Sequence, residues 1–246
     1  MITPQENQAS LANAVGVPSL YLKREDLHPY GSHKGRSIPV MIDHYLKAGK
    51  SHFAISSSGN AALAAALYIK ELNEKKGKEK NIKLEIMVGN KIPDNKLKKL
   101  TDLVDKKISV MRFERPLQTL TQKTADGSIQ SLRQSTDNIA LVGYESLAKE
   151  LEKVKDMRAV FLATSSGTTA QAIAQFFSDK NANVEIHIVQ TTSCHPMALE
   201  FVDSLPSEDQ SVADAIVDMT AHRKNALIPL IKTTGGVGWI ASNEEI

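Results

Sequence analysis

The apolar positions of the chain follow two periods that take turns. Short apolar runs at residues 20–22, 52–55, 84–88, 108–111, 159–163 and 184–189 are too brief for helices, and their composition predicts strands. Between them, residues 38–48, 61–74, 95–104, 144–155 and 169–177 carry apolar side chains three and four apart, the spacing of one helix face. Strands alternating with helices predict an α/β fold with mostly parallel sheets and helices on both faces. No internal repeat of fixed period is visible.

The polar positions add less. Residues 70–83 (KELNEKKGKEKNIK) interleave lysine with glutamate and are broken by Gly77, which predicts a solvated helix end and loop rather than a polyanion site. Residues 96–107 read alike: leucines and Val104 at helical spacing face inward and leave the lysines to water. At 246 residues, 41% hydrophobic and 24% charged, the chain can bury a substantial core. Its net charge of +2 gives no strong field to attract nucleic acid or an acidic membrane. The lone Cys194 excludes an intrachain disulfide, and the start shows no basic-then-apolar leader. The small-apolar run at 61–67 falls far short of the roughly 20 residues a membrane helix needs. The expected setting is cytoplasmic, with neither nucleic acid nor membrane as partner.

Two pairings fail on geometry. Cys194 and His195 suggest nucleophile and base, yet neighbours in an extended segment point apart. His28, His33, His44 and His52 lack both the H-x-x-x-H spacing and nearby cysteines, so no metal site is expected.

Three loops carry candidate chemistry. Lys34 lies in PYGSHKGRS, residues 29–37, in a glycine-flanked turn ahead of an apolar run. A lysine there can be a solvated charge, a phosphate ligand, or an amine held for covalent chemistry. Ser56, Ser57, Ser58, Gly59 and Asn60 follow the strand at 52–55 and precede an alanine-rich helix. Small residues let a ligand approach the backbone, and free N–H groups at a helix start favour a carboxylate or phosphate. A simple capped helix explains the same residues. Thr164, Ser165, Ser166, Gly167, Thr168 and Thr169 repeat the arrangement after the strand at 159–163, with five hydroxyls and one glycine suited to a phosphate. The stretch matches neither G-x-x-x-x-G-K-[ST] nor G-x-G-x-x-G. Loops at the carboxyl ends of α/β strands converge on one crevice. An amine, a carboxylate or amide site, and a phosphate site are together what pyridoxal phosphate and an amino acid require.

The order of these motifs resembles a known family. Lys23, Glu25, Pro29, Gly31, Ser32, Lys34 and Arg36 resemble the K-x-E-x-x-x-P-x-G-S-F-K-x-R signature of the fold type II pyridoxal-phosphate enzymes. Ser57, Ser58, Gly59 and Asn60 resemble their S-[ST]-G-N loop, residues 164–169 their phosphate loop, and residues 143–151 the helix start that precedes it. His33 stands where most members have phenylalanine, and Gly35 where threonine synthases often have aspartate.

The resemblance implies a two-domain architecture, with residues 37–136 as a smaller α/β domain and residues 1–36 and 137–246 as a larger one, the cofactor lying in the cleft between. It implies that Lys34 binds the cofactor covalently and moves the α-proton, and that Asn60 meets its 3-oxygen. Ser57, Ser58 and Gly59 would hold the substrate carboxylate; Ser165, Ser166, Gly167, Thr168 and Thr169 would hold the phosphate. The implied activity is a lyase performing β/γ-elimination or replacement on a hydroxy- or phospho-amino acid, closest to threonine synthase, with cysteine synthase or serine/threonine dehydratase as alternatives. Residues 233–246 resemble a strand and helix start that relatives follow with many tens more residues. The resemblance therefore implies a shortened chain, with a homodimer or a complementing C-terminal chain as possible partner, and a non-catalytic split relative as the reading from another class.

Overall fold

The computed structural model describes residues 2–75, 81–202 and 209–246. They form two compact units, Met1–Leu132 and Arg133–Ile246. The first opens with β1 (Gln5–Asn7) antiparallel to β2 (Tyr21–Lys23), joined through the helix α1 (Ala9–Val15). Neither β1 nor α1 was expected, since elements of three and seven residues are too short to show a period.

Then come α2 (Lys34–Lys47), β3 (His52–Ser56), α3 (Asn60–Lys75), β4 (Lys83–Gly89), α4 (Asp94–Thr101), β5 (Ile108–Phe113), α5 (Pro116–Lys123) and β6 (Gln130–Ser131). The four strands β3 to β6 make one parallel sheet in the order β5-β4-β3-β6. Parallel neighbours cannot be joined by a tight turn, so helices make the crossovers. Phe53, Ala54, Ile55, Leu84, Ile86, Met87 and Val88 are all buried, which is why β3 and β4 read as apolar runs, interrupted in β4 by Glu85. Ala62, Ala64, Ala65 and Ala66 are buried along α3. The sheet grows from β3 to β4 and β5, then returns to place β6 on the other side of β3. The turn after β3 therefore lies where the strand order reverses, the place where α/β sheets bind ligands.

The second unit holds α6 (Ile139–Leu151), β7 (Ala159–Ala163), α7 (Thr168–Asp179), β8 (Glu185–Thr191), α8 (Lys224–Thr233) and β9 (Gly238–Ala241), with a parallel sheet β7-β8-β9. Leu147, Ile173, Phe177, Ile186, Ile188, Leu227 and Ile231 form its core. Away from that core, Phe161 stacks on His187 with ring centroids 4.5 Å apart. Nδ1 of His187 accepts the N–H of Val237 at 3.1 Å and the indole N–H of Trp239 at 3.3 Å. With Nδ1 accepting both, the ring proton sits on Nε2 and faces Glu185 Oε2 at 3.1 Å.

Several boundaries differ from the expected ones. The helix expected at 38–48 begins at Lys34, and the one expected at 144–155 runs from Ile139 to Leu151. Val104 lies beyond the end of α4 and is exposed rather than inward-facing, while Leu100 is buried. In the 70–83 stretch, residues 70–75 complete α3, where Lys75 pairs with Glu71 one turn back. Gly77 lies outside the described residues. At the end, Ser242 and Glu245 bond reciprocally as a capping box within a turn. No helix among the described residues is long and apolar enough to cross a membrane.

Candidate active site

Lys34 is the first residue of α2, not a turn residue. Its backbone N–H donates to the buried Ser32 hydroxyl at 3.2 Å. Gly31 has φ +81°, a left-handed turn in which glycine is favoured, and a Cβ there would lie 3.1 Å from Leu63 of α3. At Gly35 a Cβ would lie 2.3 Å from the His28 ring, so glycine is required for the helix start to close on residue 28. Two residues past Lys34, the guanidinium of Arg36 makes a bidentate pair with Glu25, both bonds 2.7 Å, and a further bond to Thr3 Oγ1 at 2.9 Å. Lys23 donates to the Thr3 carbonyl at 2.8 Å. The lysine, glutamate and arginine of the motif thus fasten the head of α2 to the amino-terminal segment. Lys34 itself is half-buried, and its amine has no hydrogen-bond or ion-pair partner among the described residues.

His33, beside it, is pushed down to about 3 by burial, with the charges of Lys34, Arg36 and His28 adding to the effect. The folded chain holds this ring neutral, whereas the unfolded chain protonates it near 6.5. As pH falls through 6.5 toward 3, the unfolded state binds the extra proton and stability drops; above 6.5 the contribution is fully present. His33→Phe is expected to flatten that acid limb of a melting-temperature profile. An unchanged limb would show that the ring titrates freely in the fold.

The loop after β3 lies close by, since Gly31 packs on Leu63 in the first turn of α3. Ser57 Oγ accepts the Gly59 N–H at 3.3 Å, Gly59 O accepts the Leu63 N–H at 3.1 Å, and Asn60 is exposed. A Cβ on Gly59 would meet nothing within 4 Å, and its φ is not positive. The fold therefore does not need glycine here, and the space above its backbone suits a carboxylate. Gly59→Ala is expected to leave the melting temperature nearly unchanged while raising the substrate KM. An unaltered KM would remove this loop from the substrate site.

In the second unit, Gly167 caps α7 at φ +79°, and a Cβ there would lie 3.0 Å from Leu227 and 3.1 Å from Met197. Here glycine is a requirement of the backbone. Ser165 Oγ accepts the N–H groups of Val217 at 3.1 Å and Asp218 at 3.2 Å. Ser166 Oγ lies 3.0 Å from Thr168 Oγ1, and Thr168 is buried. Thr169 is half-buried in the first turn of α7. Gln190, fully buried, braces the loop: it donates to the Thr164 carbonyl at 3.2 Å and accepts the N–H groups of Met197 and Ala198. Its signal in sequence is only a polar residue inside an apolar strand.

Cys194 and His195 form no reactive pair. Burial, with the charge of Asp218, pushes the Cys194 thiol up, and His195 Nδ1 is committed to the Thr191 carbonyl at 2.9 Å. Lys34, Ser57, Ser58, Gly59 and Asn60 fall in the first unit, and residues 165–169 in the second.

Parallel sheets whose strand ends carry small-residue and hydroxyl turns place the chain among the ligand-binding α/β proteins. A family model described as pyridoxal-phosphate dependent enzyme matches residues 2–246, and the chain belongs to that family, whose cofactor is pyridoxal phosphate. It is 36% identical over 66 residues to a threonine synthase of Methanosarcina acetivorans, covering 27% of this chain and 16% of that one. It is 39% identical over 70 residues to human L-serine dehydratase/L-threonine deaminase, covering 28% of this chain and 21% of that one. The chain thus matches about a fifth or less of these relatives' length. The solved structure of threonine deaminase isoform 2 from Solanum lycopersicum superposes with a TM-score of 0.76 at 19% identity, over 98% of this chain and 69% of that one. The fold is the fold type II architecture.

The residues suit that cofactor. An unpartnered amine, an open glycine turn, and a hydroxyl loop at the start of α7 match its aldehyde, a substrate carboxylate and its phosphate in kind.

Proposed function

We propose that the chain is a pyridoxal-phosphate-dependent lyase that eliminates or replaces a β- or γ-substituent of a hydroxy- or phospho-amino acid. The observation that carries this reading is the unpartnered, half-buried amine of Lys34 at a helix start pinned on both sides. When bound, the cofactor supplies an electron sink for negative charge at the α-carbon. Lys34 would hold the cofactor through its amine and, once the substrate's amine has displaced it, the freed amine would take the α-proton. Ser57, Ser58 and Gly59 receive the substrate carboxylate, and Asn60 donates to the cofactor's ring oxygen. Residues 165–169 hold the phosphate. The division into a smaller domain at 37–136 and a larger one from the flanking segments belongs to the same proposal. So do a cytoplasmic setting and a homodimer or complementing chain as partner. The name of the human relative, L-serine dehydratase/L-threonine deaminase, supports a hydroxy-amino-acid substrate.

The test mixes the chain with pyridoxal phosphate and then with serine, threonine or O-phosphohomoserine, following visible absorption and product. A 2-oxo acid from serine or threonine marks elimination; threonine with free phosphate marks replacement of the threonine-synthase kind. Cofactor binding with no product from any substrate would sink the lyase reading and leave a non-catalytic relative.

A further inference from the structure

Arg223 takes no part in any of the motifs above, yet it sits behind the loop read as the phosphate site. It is 5% exposed, and all five of its N–H donors are engaged. Nε donates to Thr168 Oγ1 at 3.1 Å, Nη1 to Asn138 Oδ1 and Gln171 Oε1, and Nη2 to the carbonyls of Gln134 and Asp137 at 2.6 and 2.7 Å. Every acceptor is neutral. No carboxylate hydrogen-bonds to it among the described residues: the Asp137 charge attracts it without such a bond, and Oδ1 of Asp137 accepts the Ile139 N–H at 2.9 Å. A buried guanidinium without a contacting carboxylate is costly, as is a cation at a helix N-terminus, where the dipole already presents positive charge. Both costs turn into attraction if an anion sits at the first turn of α7.

The segment that carries Arg223 also prepares a donor. With two backbone N–H groups on its oxygen, the Ser165 hydroxyl has both lone pairs occupied and keeps its proton for an acceptor. Resting on the phosphate reading of residues 165–169, we propose that Arg223 is a positioning residue for that phosphate. It fixes a positive charge behind α7 and, through Thr168, sets the orientation of the loop. The ligand group it serves is a phosphate dianion.

The test compares dissociation constants of the apo-protein for pyridoxal phosphate and for pyridoxal, which lacks the phosphate, together with thermal stabilisation by inorganic phosphate. Arg223→Met is expected to lower the preference for the phosphorylated form on the order of tenfold. Arg223→Lys, which keeps the charge, is expected to retain more of that preference. Thr168→Val is expected to lower it while pyridoxal still binds. If Arg223→Met does not fold, the lysine and valine variants carry the test alone. Equal weakening of both ligands, or an unchanged preference in both of those variants, would show a structural role and overturn the proposal. A wild-type chain that binds pyridoxal phosphate no better than pyridoxal would instead overturn the phosphate reading itself.

Discussion

Lys34→Ala is expected to abolish the visible absorption of the cofactor-loaded protein and to reduce turnover on the order of a thousandfold or more, with the fold intact. The two effects separate because of where the lysine stands. Its amine has no partner among the described residues, so its removal leaves no buried donor or acceptor unsatisfied. Alanine is the best helix former and suits the first position of α2. The remaining anchors, Ser32 under the backbone and Arg36 on Glu25, do not involve the side chain. The melting temperature should therefore hold while absorption and turnover vanish. Turnover that survives would mean the amine is a bystander.

Glu25→Leu is expected to destabilise the protein by about 3–5 kcal/mol, the usual cost of breaking a buried ion pair from one side. The Arg36 side chain is 2% exposed and that of Glu25 14%, so water can do little to replace the lost carboxylate. The double change Glu25→Leu with Arg36→Met should recover most of the loss, since no charge is then stranded. Chemical denaturation of the single and double variants measures both. The single variant should also weaken cofactor binding, because the pair fixes the helix turn that begins at Lys34. A loss below about 1 kcal/mol, as for exposed pairs, would show that the site is solvated.

Much of the fold was legible because strands buried on both faces read as apolar runs, as Phe53, Ala54 and Ile55 do in β3. What escaped was short or unmarked. β6 has two residues, and α8 contains Pro229, which disguises its helical period. The true start of α2 was hidden as well: Pro29, Gly31 and Gly35 signal a turn, and no side-chain cap marks the helix. The candidate loops stood out through their small residues, but sequence treats Gly59 and Gly167 alike. Only the backbone shows that Gly167 is demanded by its φ and its neighbours, whereas Gly59 keeps open space. Arg223 was invisible because its partners lie at residues 134, 137, 138, 168 and 171, a set that only folding assembles.

The bond from Trp239 to His187 has a practical side. Trp239 is the single tryptophan of the chain, and it belongs to the second unit. Selective excitation of the indole therefore reports the loss of β9 from its sheet, while circular dichroism averages over helices of both units. If the two signals follow the same denaturation curve, the units melt as one cooperative body; curves that separate give the order in which they come apart. The protein thus carries its own optical label for the half that holds the hydroxyl loop.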